Sequence, residues 1–275
     1  MFRSALFIPS ANVRALAKAR EIDADALIFD LEDAVGESEW AGALAALVST
    51  LEAGGMKSPA ILVRIHPLHL DATADALNHL VRNRAIGGIV VPKVETPDTL
   101  HRVREAFPRA QGLWAMVETP LGVARLGDIA AMAGHVPLKG LIAGPNDLRK
   151  GLRTRPMPDR QDILFALSQI VLHARAHGLV ALDGVYNQFL DEAGFAAECR
   201  QGRDLGFDGK TLIHPAQIAG ANAAFSPSED ETAWARAVVK AFEASEAGVI
   251  SVNGEMVERL HLEQAREILN YLRDK

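Results

Sequence analysis

LWAMVETPLGVARLGDIAAMAGHVPLKGLIAGPNDL, residues 113–148, carries the pattern that decides the fold. It opens on an apolar run that ends in a carboxylate, LWAMVE, and returns to a second run, GLIAG from Gly140, that leads to Asp147. Two short apolar runs with a helical stretch between them make a βαβ unit, and βαβ units build parallel sheets. Six more runs of this kind occur: SALFIP from Ser4, ALIFDL from Ala26, AILVRI from Ala60, GIVVP from Gly88, LVALD from Leu179 and KTLIH from Lys210. Eight strands close a barrel, so the spacing predicts a (β/α)8 TIM barrel over residues 1–225. An open doubly wound sheet is the rival, and the Gly-rich dinucleotide turn it would carry is absent.

The stretches between the runs have helical periodicity. Residues 11–22 place Val13, Leu16 and Ala17 on one side, and residues 162–177 do the same with Ile163, Leu167, Ile170 and Ala174, ending at Gly178 as a cap. Beyond Phe225 the alternation stops. SPSED supplies a turn and a helix start with Ser228 as N-cap, predicting a helix over 229–247. GVISVNGE then reads as a short extended or hairpin piece before a last helix over 256–273. This helical extension, residues 226–275, is too short to fold alone and is expected to pack on the barrel or on a neighbouring subunit.

Composition narrows the function. Acids and bases are interspersed, the net charge is −6, and no basic stripe exists to neutralise phosphates, so nucleic acid is not an expected partner. No apolar run approaches the roughly 20 residues that span a bilayer, and the start MFRSALFIPS does not read as a signal peptide; a cytoplasmic protein is expected. Cys199 is the only cysteine, which excludes an internal disulfide and a cysteine-based metal cluster, and its setting reads as a helix face.

In such barrels the reacting groups sit where strands end. Here strand two ends in Asp30, Glu32 and Asp33, strand three in Arg64 and His66, strand four in Lys93 and strand five in Glu118; strand six leads to Asp147, strand seven ends in Asp183 and strand eight in His214. Any one of these reads as a helix cap or a salt-bridge partner. A full ring of them costs too much to bury unless the charges pair or share an ion. Glu118 and Asp147 come from neighbouring strands, and adjacent carboxylates call for a proton or a cation between them. Two hard oxygen ligands completed by water and substrate suit Mg2+. Zinc fits less well, because no two of the nine histidines share ligand spacing at the mouth; His173 and His177 are four apart near the far end of a helix. The guanidinium of Arg64 is the group that grips a carboxylate in two-pronged fashion. Mg2+ with such a clamp points to a small organic acid whose enolate or alkoxide charge is stabilised as a carbon–carbon bond breaks or forms.

The stretches RSALFIPSANVRALAKA and DADALIFDLEDAV resemble the opening of the citrate lyase β-subunit family of the HpcH/HpaI aldolase superfamily. VRIHP, VVPKVET, MVETPLGV, GPNDL, ALDGVYNQFLDEAG and GFDGKTLIHPAQI follow in that family's order, and the tail NGEMVERLHLEQAREIL resembles its final lid segment. The resemblance implies a Mg2+-dependent barrel, a homotrimer or a multiple such as a hexamer, acting on CoA thioesters of hydroxy-dicarboxylic acids such as citryl-, malyl- or citramalyl-CoA. It implies Glu118 and Asp147 as metal ligands, Arg64 as substrate clamp, Glu32 and Asp33 as groups that order the metal's waters, and Lys18 with Arg14 as contacts to the CoA phosphates. A tail carboxylate, here Glu258, would be the general base, reaching in from the neighbouring subunit.

Three residues depart from the family pattern: His66 where an Asn is usual, Asn146 where a Glu is commoner, and Glu258 where an Asp is common. His66 adds a group able to titrate at the thioester, and Glu258 is one methylene longer than the usual base. Alternatives to a carbon–carbon lyase or condensing enzyme are a Mg2+-dependent 2-oxo acid aldolase that needs no CoA, an acyl-CoA thioesterase, and a scaffold subunit of a larger complex.

Overall fold

In the computed structural model, which describes residues 2–245 and 247–273, the chain divides into two compact units, Met1–Phe225 and Ser226–Lys275. The first holds eight strands: β1 Ser4–Pro9, β2 Ala26–Asp30, β3 Ala60–Arg64, β4 Gly88–Val91, β5 Leu113–Val117, β6 Leu138–Ala143, β7 Val180–Asp183 and β8 Gly209–Leu212. Each pairs in parallel with the next, and β8 pairs with β1, so the barrel closes in sequence order as the spacing predicts.

Strand side chains alternate between two apolar layers. Ile28, Leu62, Val90, Met116, Ile142 and Leu182 point inward, and Trp114, stacked on Phe2 at 5.2 Å between ring centres, fills the interior with them. Leu27, Phe29, Val63, Ile89, Ala115 and Leu141 point outward onto the helices. Register places Asp30 beside Arg64 and Val117 beside Ala143, which puts the next residues, Glu118 and Gly144, side by side.

Helix limits shift locally. The first helix is Val13–Lys18, capped by the Asn12 side chain and extended by one tight turn, Ala19–Glu21. The helix expected over 162–177 is Leu164–Ala176, because Asp162 stands outside it and accepts from Arg149 Nε at 2.8 Å.

In the second unit the helix Glu229–Glu243 begins at Ser228 with a complete capping box to Glu231. Its expected run to 247 crosses residue 246, outside the described residues. β9 Val249–Val252 and β10 Glu255–Glu258 form an antiparallel hairpin about Asn253 and Gly254, both at positive φ. Asn-Gly suits this tight reversal. Met256 therefore lies in β10 and the last helix is Arg259–Arg273, three residues later than expected. Ala235, Val238, Val252, Val257 and Ala265 make this unit's own apolar cluster.

Candidate active site

The strand register decides the first contact. Asp30 closes β2 next to Arg64, and its two oxygens take Arg64 Nε at 2.7 Å and Nη2 at 2.6 Å. Asp30 also accepts the backbone N–H of Glu32 at 2.9 Å and of Ala34 at 3.2 Å, folding the segment after β2 into a turn. That turn brings Glu32 Oε2 to 3.0 Å and Asp33 Oδ2 to 3.1 Å from Arg64 Nη1. Burial works against the charged guanidinium, but the bond and charge of Asp30 and the charges of Glu32 and Asp33 outweigh it, so Arg64 stays fully ionised. The two-pronged edge expected to seize substrate is thus occupied by Asp30, and Arg64 faces the cavity as a fixed charge.

Lys93 comes from the strand next to that of Arg64 and shares Glu32 with it. It follows β4 with φ of 49°, a left-handed conformation that a side-chain-bearing residue seldom adopts and that recurs at functional sites. The twist aims its backbone N–H at Glu118 Oε1, 2.7 Å away. Its ammonium meets Glu32 Oε1 and stands 3.3 Å from Asp147 Oδ2 and 3.7 Å from Asp33 Oδ1. One residue therefore touches both carboxylates singled out from the sequence.

Glu118 is 3 % exposed, pressed against Gly144 so closely that a Cβ there would overlap its side chain. Burial pushes its carboxyl up to about 7; the Lys93 N–H pulls the other way and the charge of Glu32 adds to the rise. Burial also raises Glu32, against the pull of Arg64 and Lys93, and its buried Oε2 lacks hydrogen-bond geometry to any partner despite its nearness to Arg64. Asp147 sits in the first turn of the helix Pro145–Leu152, where the dipole favours a negative charge. Asp30, Asp33, Arg64, Glu118 and Asp147, with Phe7 and Met116, line a cavity of about 370 Å³.

Five carboxylates, Asp30, Glu32, Asp33, Glu118 and Asp147, meet two cations here, Arg64 and Lys93. With all five ionised, three negative charges are left over. A dication answers that surplus, and the raised Glu118 and unsatisfied Glu32 oxygen mark where it is most needed. Among the described residues no three His, Cys, Asp or Glu side chains form a ready-made metal cage. The donors are hard oxygens, and Glu118 with Asp147 is a pair that leaves room for water and substrate, as Mg2+ requires.

Other expected positions do not join this cluster. Asp183 ends β7 but is fully buried, turned onto Arg160 and Lys210 instead of the mouth. His66 does not line the cavity: its Nδ1 accepts from Leu68 N at 3.2 Å and its ring lies 4.9 Å from that of His69. Burial and the neighbouring His69 lower its pKa. His214 stacks on Phe189 at 4.7 Å and likewise stays out of the lining. Lys18 and Arg14 are exposed on the helix Val13–Lys18 and do not line it either. Glu258 belongs to the second unit, where it ends β10 and its backbone N–H donates to His261 Nδ1 at 2.9 Å. Cys199 is buried, and burial pushes its thiol up to about 12, which keeps it an inert apolar group. Lys93 and Asp30 are the site residues whose roles the sequence did not disclose. Lys93 is marked by its backbone twist and Asp30 by cross-strand register, neither of which a sequence displays.

Residues 3–215 match the model of the HpcH/HpaI aldolase/citrate lyase family. The chain is 45 % identical over 271 residues to a (3S)-malyl-CoA thioesterase of Cereibacter sphaeroides, covering 98 % of this chain and 93 % of the relative. It is 35 % identical over 281 residues to the citrate lyase subunit beta of Escherichia coli, covering 98 % and 92 %. Among solved structures it resembles CitE of Mycobacterium tuberculosis in complex with magnesium, acetoacetate and coenzyme A, with a TM-score of 0.78 and 32 % identity over 97 % of this chain and 96 % of the other.

Proposed function

The chain belongs to the HpcH/HpaI aldolase/citrate lyase family, and from that premise we propose that it is a Mg2+-dependent enzyme that cleaves the CoA thioester of a small hydroxy-dicarboxylic acid of the malyl kind. The observation that carries the reading is the surplus of carboxylate over cation at one barrel mouth, with Glu118 and Asp147 both held by Lys93. The 45 % identity to a malyl-CoA thioesterase favours thioester hydrolysis as the reaction. The likeness to citrate lyase subunit beta supports the carbon–carbon lyase expected from the sequence as the second reading.

Glu118 and Asp147 would hold the cation. Bound there, Mg2+ supplies a Lewis acid that polarises a substrate oxygen and offsets developing negative charge. Everything else is done by the chain. The Lys93 N–H fixes the Glu118 carboxylate, and Gly144 lets that carboxylate approach β6. Arg64, locked by Asp30, presents a preorganised positive charge that attracts the substrate's free carboxylate without having to be ordered on binding. Glu32 and Asp33 keep Arg64 and Lys93 in place and offer oxygens to bound water. Phe7 and Met116 supply the apolar wall. Glu258 is the proposed base, and Lys18 and Arg14 the proposed contacts to CoA phosphates; a homotrimer or hexamer working in the cytoplasm completes the reading. No helix among the described residues is long and apolar enough to cross a membrane.

The test is product analysis with Mg2+ and (3S)-malyl-CoA. Hydrolysis releases malate and free CoA thiol; carbon–carbon cleavage releases acetyl-CoA and glyoxylate. Thiol without glyoxylate supports the first reading and glyoxylate with acetyl-CoA the second. If malyl-, citramalyl- and citryl-CoA all remain intact with Mg2+ present, the proposal fails.

A further inference from the structure

Behind the mouth, and outside the cavity, lies a second set of charges that the chemistry above does not use. Asp183 at the end of β7 takes Arg160 Nη1 on both oxygens, at 2.7 and 2.9 Å, and Lys210 Nζ at 2.9 Å. Lys210 also donates to Glu198 at 2.8 Å, and Arg160 Nε donates to Gln201 at 2.7 Å. Asp183 and Lys210 are wholly buried and Arg160 is 2 % exposed. Two cations thus face two anions, with Glu198 alone of the four only partly buried, and the guanidinium arrives from the connection after the helix Pro145–Leu152, at a residue with φ of 56°. Replacing such groups by apolar ones commonly costs a fold nothing, so stability alone does not account for the cluster.

With its charge compensated, Asp183 Oδ1 also accepts the N–H of Gly184 at 2.8 Å, and the Asp183 carbonyl accepts from Thr211 Oγ1 at 3.0 Å, so the residue is held from three sides. Gly184 packs directly on Pro145: a Cβ there would overlap the proline ring. Pro145 is the first residue of the helix whose first turn carries Asp147. Asp183 is therefore linked to Asp147 by its own bond to Gly184, the packing of Gly184 on Pro145 and the first turn of the helix.

We propose that Arg160, Lys210 and Asp183 are positioning residues for the cation site, clamping Gly184 against Pro145 and so setting where the Asp147 carboxylate stands. The inference rests on the reading of Glu118 and Asp147 as the cation ligands. Partners outside a metal's own ligands matter at this level: their loss typically weakens binding about 10- to 100-fold.

Mn2+, which takes the same oxygen ligands, can be titrated without substrate while the paramagnetic resonance of the free ion reports binding. Arg160→Met with Glu198→Gln removes one charge of each sign and leaves the Lys210–Asp183 pair neutral. Gly184→Ala leaves all four charges in place and strikes the Pro145 ring and the Ala143 carbonyl beside it. Both should bind Mn2+ about tenfold or more weakly at temperatures where near-ultraviolet circular dichroism shows a native fold. Arg160→Lys, which keeps the charge and loses the Nε bond to Gln201 and the Nη2 bond to the Glu198 carbonyl, carries the test if the double variant does not fold. A cluster that serves only stability would lower the melting temperature and leave the affinity within twofold of wild type, which overturns the proposal. Weakening in only one arm overturns it too, since the path needs both ends. Failure of the wild type to bind Mn2+ at all would instead remove the cation reading itself, and with it anything to position.

Discussion

Glu118 and Arg64 are the two side chains on which most depends, and each makes a prediction. Burial lifts the Glu118 carboxyl to about 7 from the ordinary 4.5, so the folded chain binds that proton more tightly than the unfolded chain. The stability this contributes is complete below about 4.5 and is lost as pH rises through about 7. In metal-free protein the melting temperature should decline across that window, Glu118→Gln should show a shallower decline, and Mg2+ should restore stability at the upper end by taking the proton's place. Equal slopes for the two proteins would contradict the assignment. Arg64→Met should cost about 3–5 kcal/mol in denaturant unfolding, because Asp30 would be left charged and buried. Arg64→Lys keeps the charge without the fork and should raise KM by at least about tenfold, ~1.4 kcal/mol. At this scale the sequence disclosed residue types and not their orientation. The places of Glu118 and Asp147 in the cavity lining were legible because each comes after an apolar run. That Arg64 spends its fork on Asp30 depends on register between β2 and β3, and that Asp183 turns away depends on Arg160 arriving from 23 residues upstream.

Elements were more legible than contacts. Eight apolar runs became eight strands because period and length suffice to identify a buried strand when turn signals bound it. Ser228 was legible as a cap because Ser-x-x-Glu satisfies two backbone donors at once. Ser228→Ala should lower the stability of the second unit by about 1 kcal/mol, measured as faster amide exchange in the helix Glu229–Glu243; unchanged exchange would contradict the capping account. Met256 misled because Met is a good helix former. The Asn253–Gly254 turn overrides that preference by fixing the partner of every residue in β10, and propensity yields to pairing.

For the whole molecule, closure of the barrel makes the site possible. Eight parallel strands in sequence order direct their ends to one face, and Trp114 with its inward neighbours fills the interior beneath. Trp114→Ala should cost about 3–5 kcal/mol in unfolding free energy and leave the cation affinity of the folded fraction unaltered. The barrel motifs of the resemblance fall almost wholly within residues 3–215, which the family model matches, and the tail motif at 253–269 lies beyond them. What the motifs could not convey is the charge ledger, because five carboxylates against two cations become visible only once distant segments share one mouth. That ledger is most directly tested by a crystal grown with Mn2+ and examined by anomalous scattering. The account predicts one peak between the carboxylates of Glu118 and Asp147, with an oxygen of each within coordination distance; no peak there, with Asp147 still held by Lys93, would contradict it.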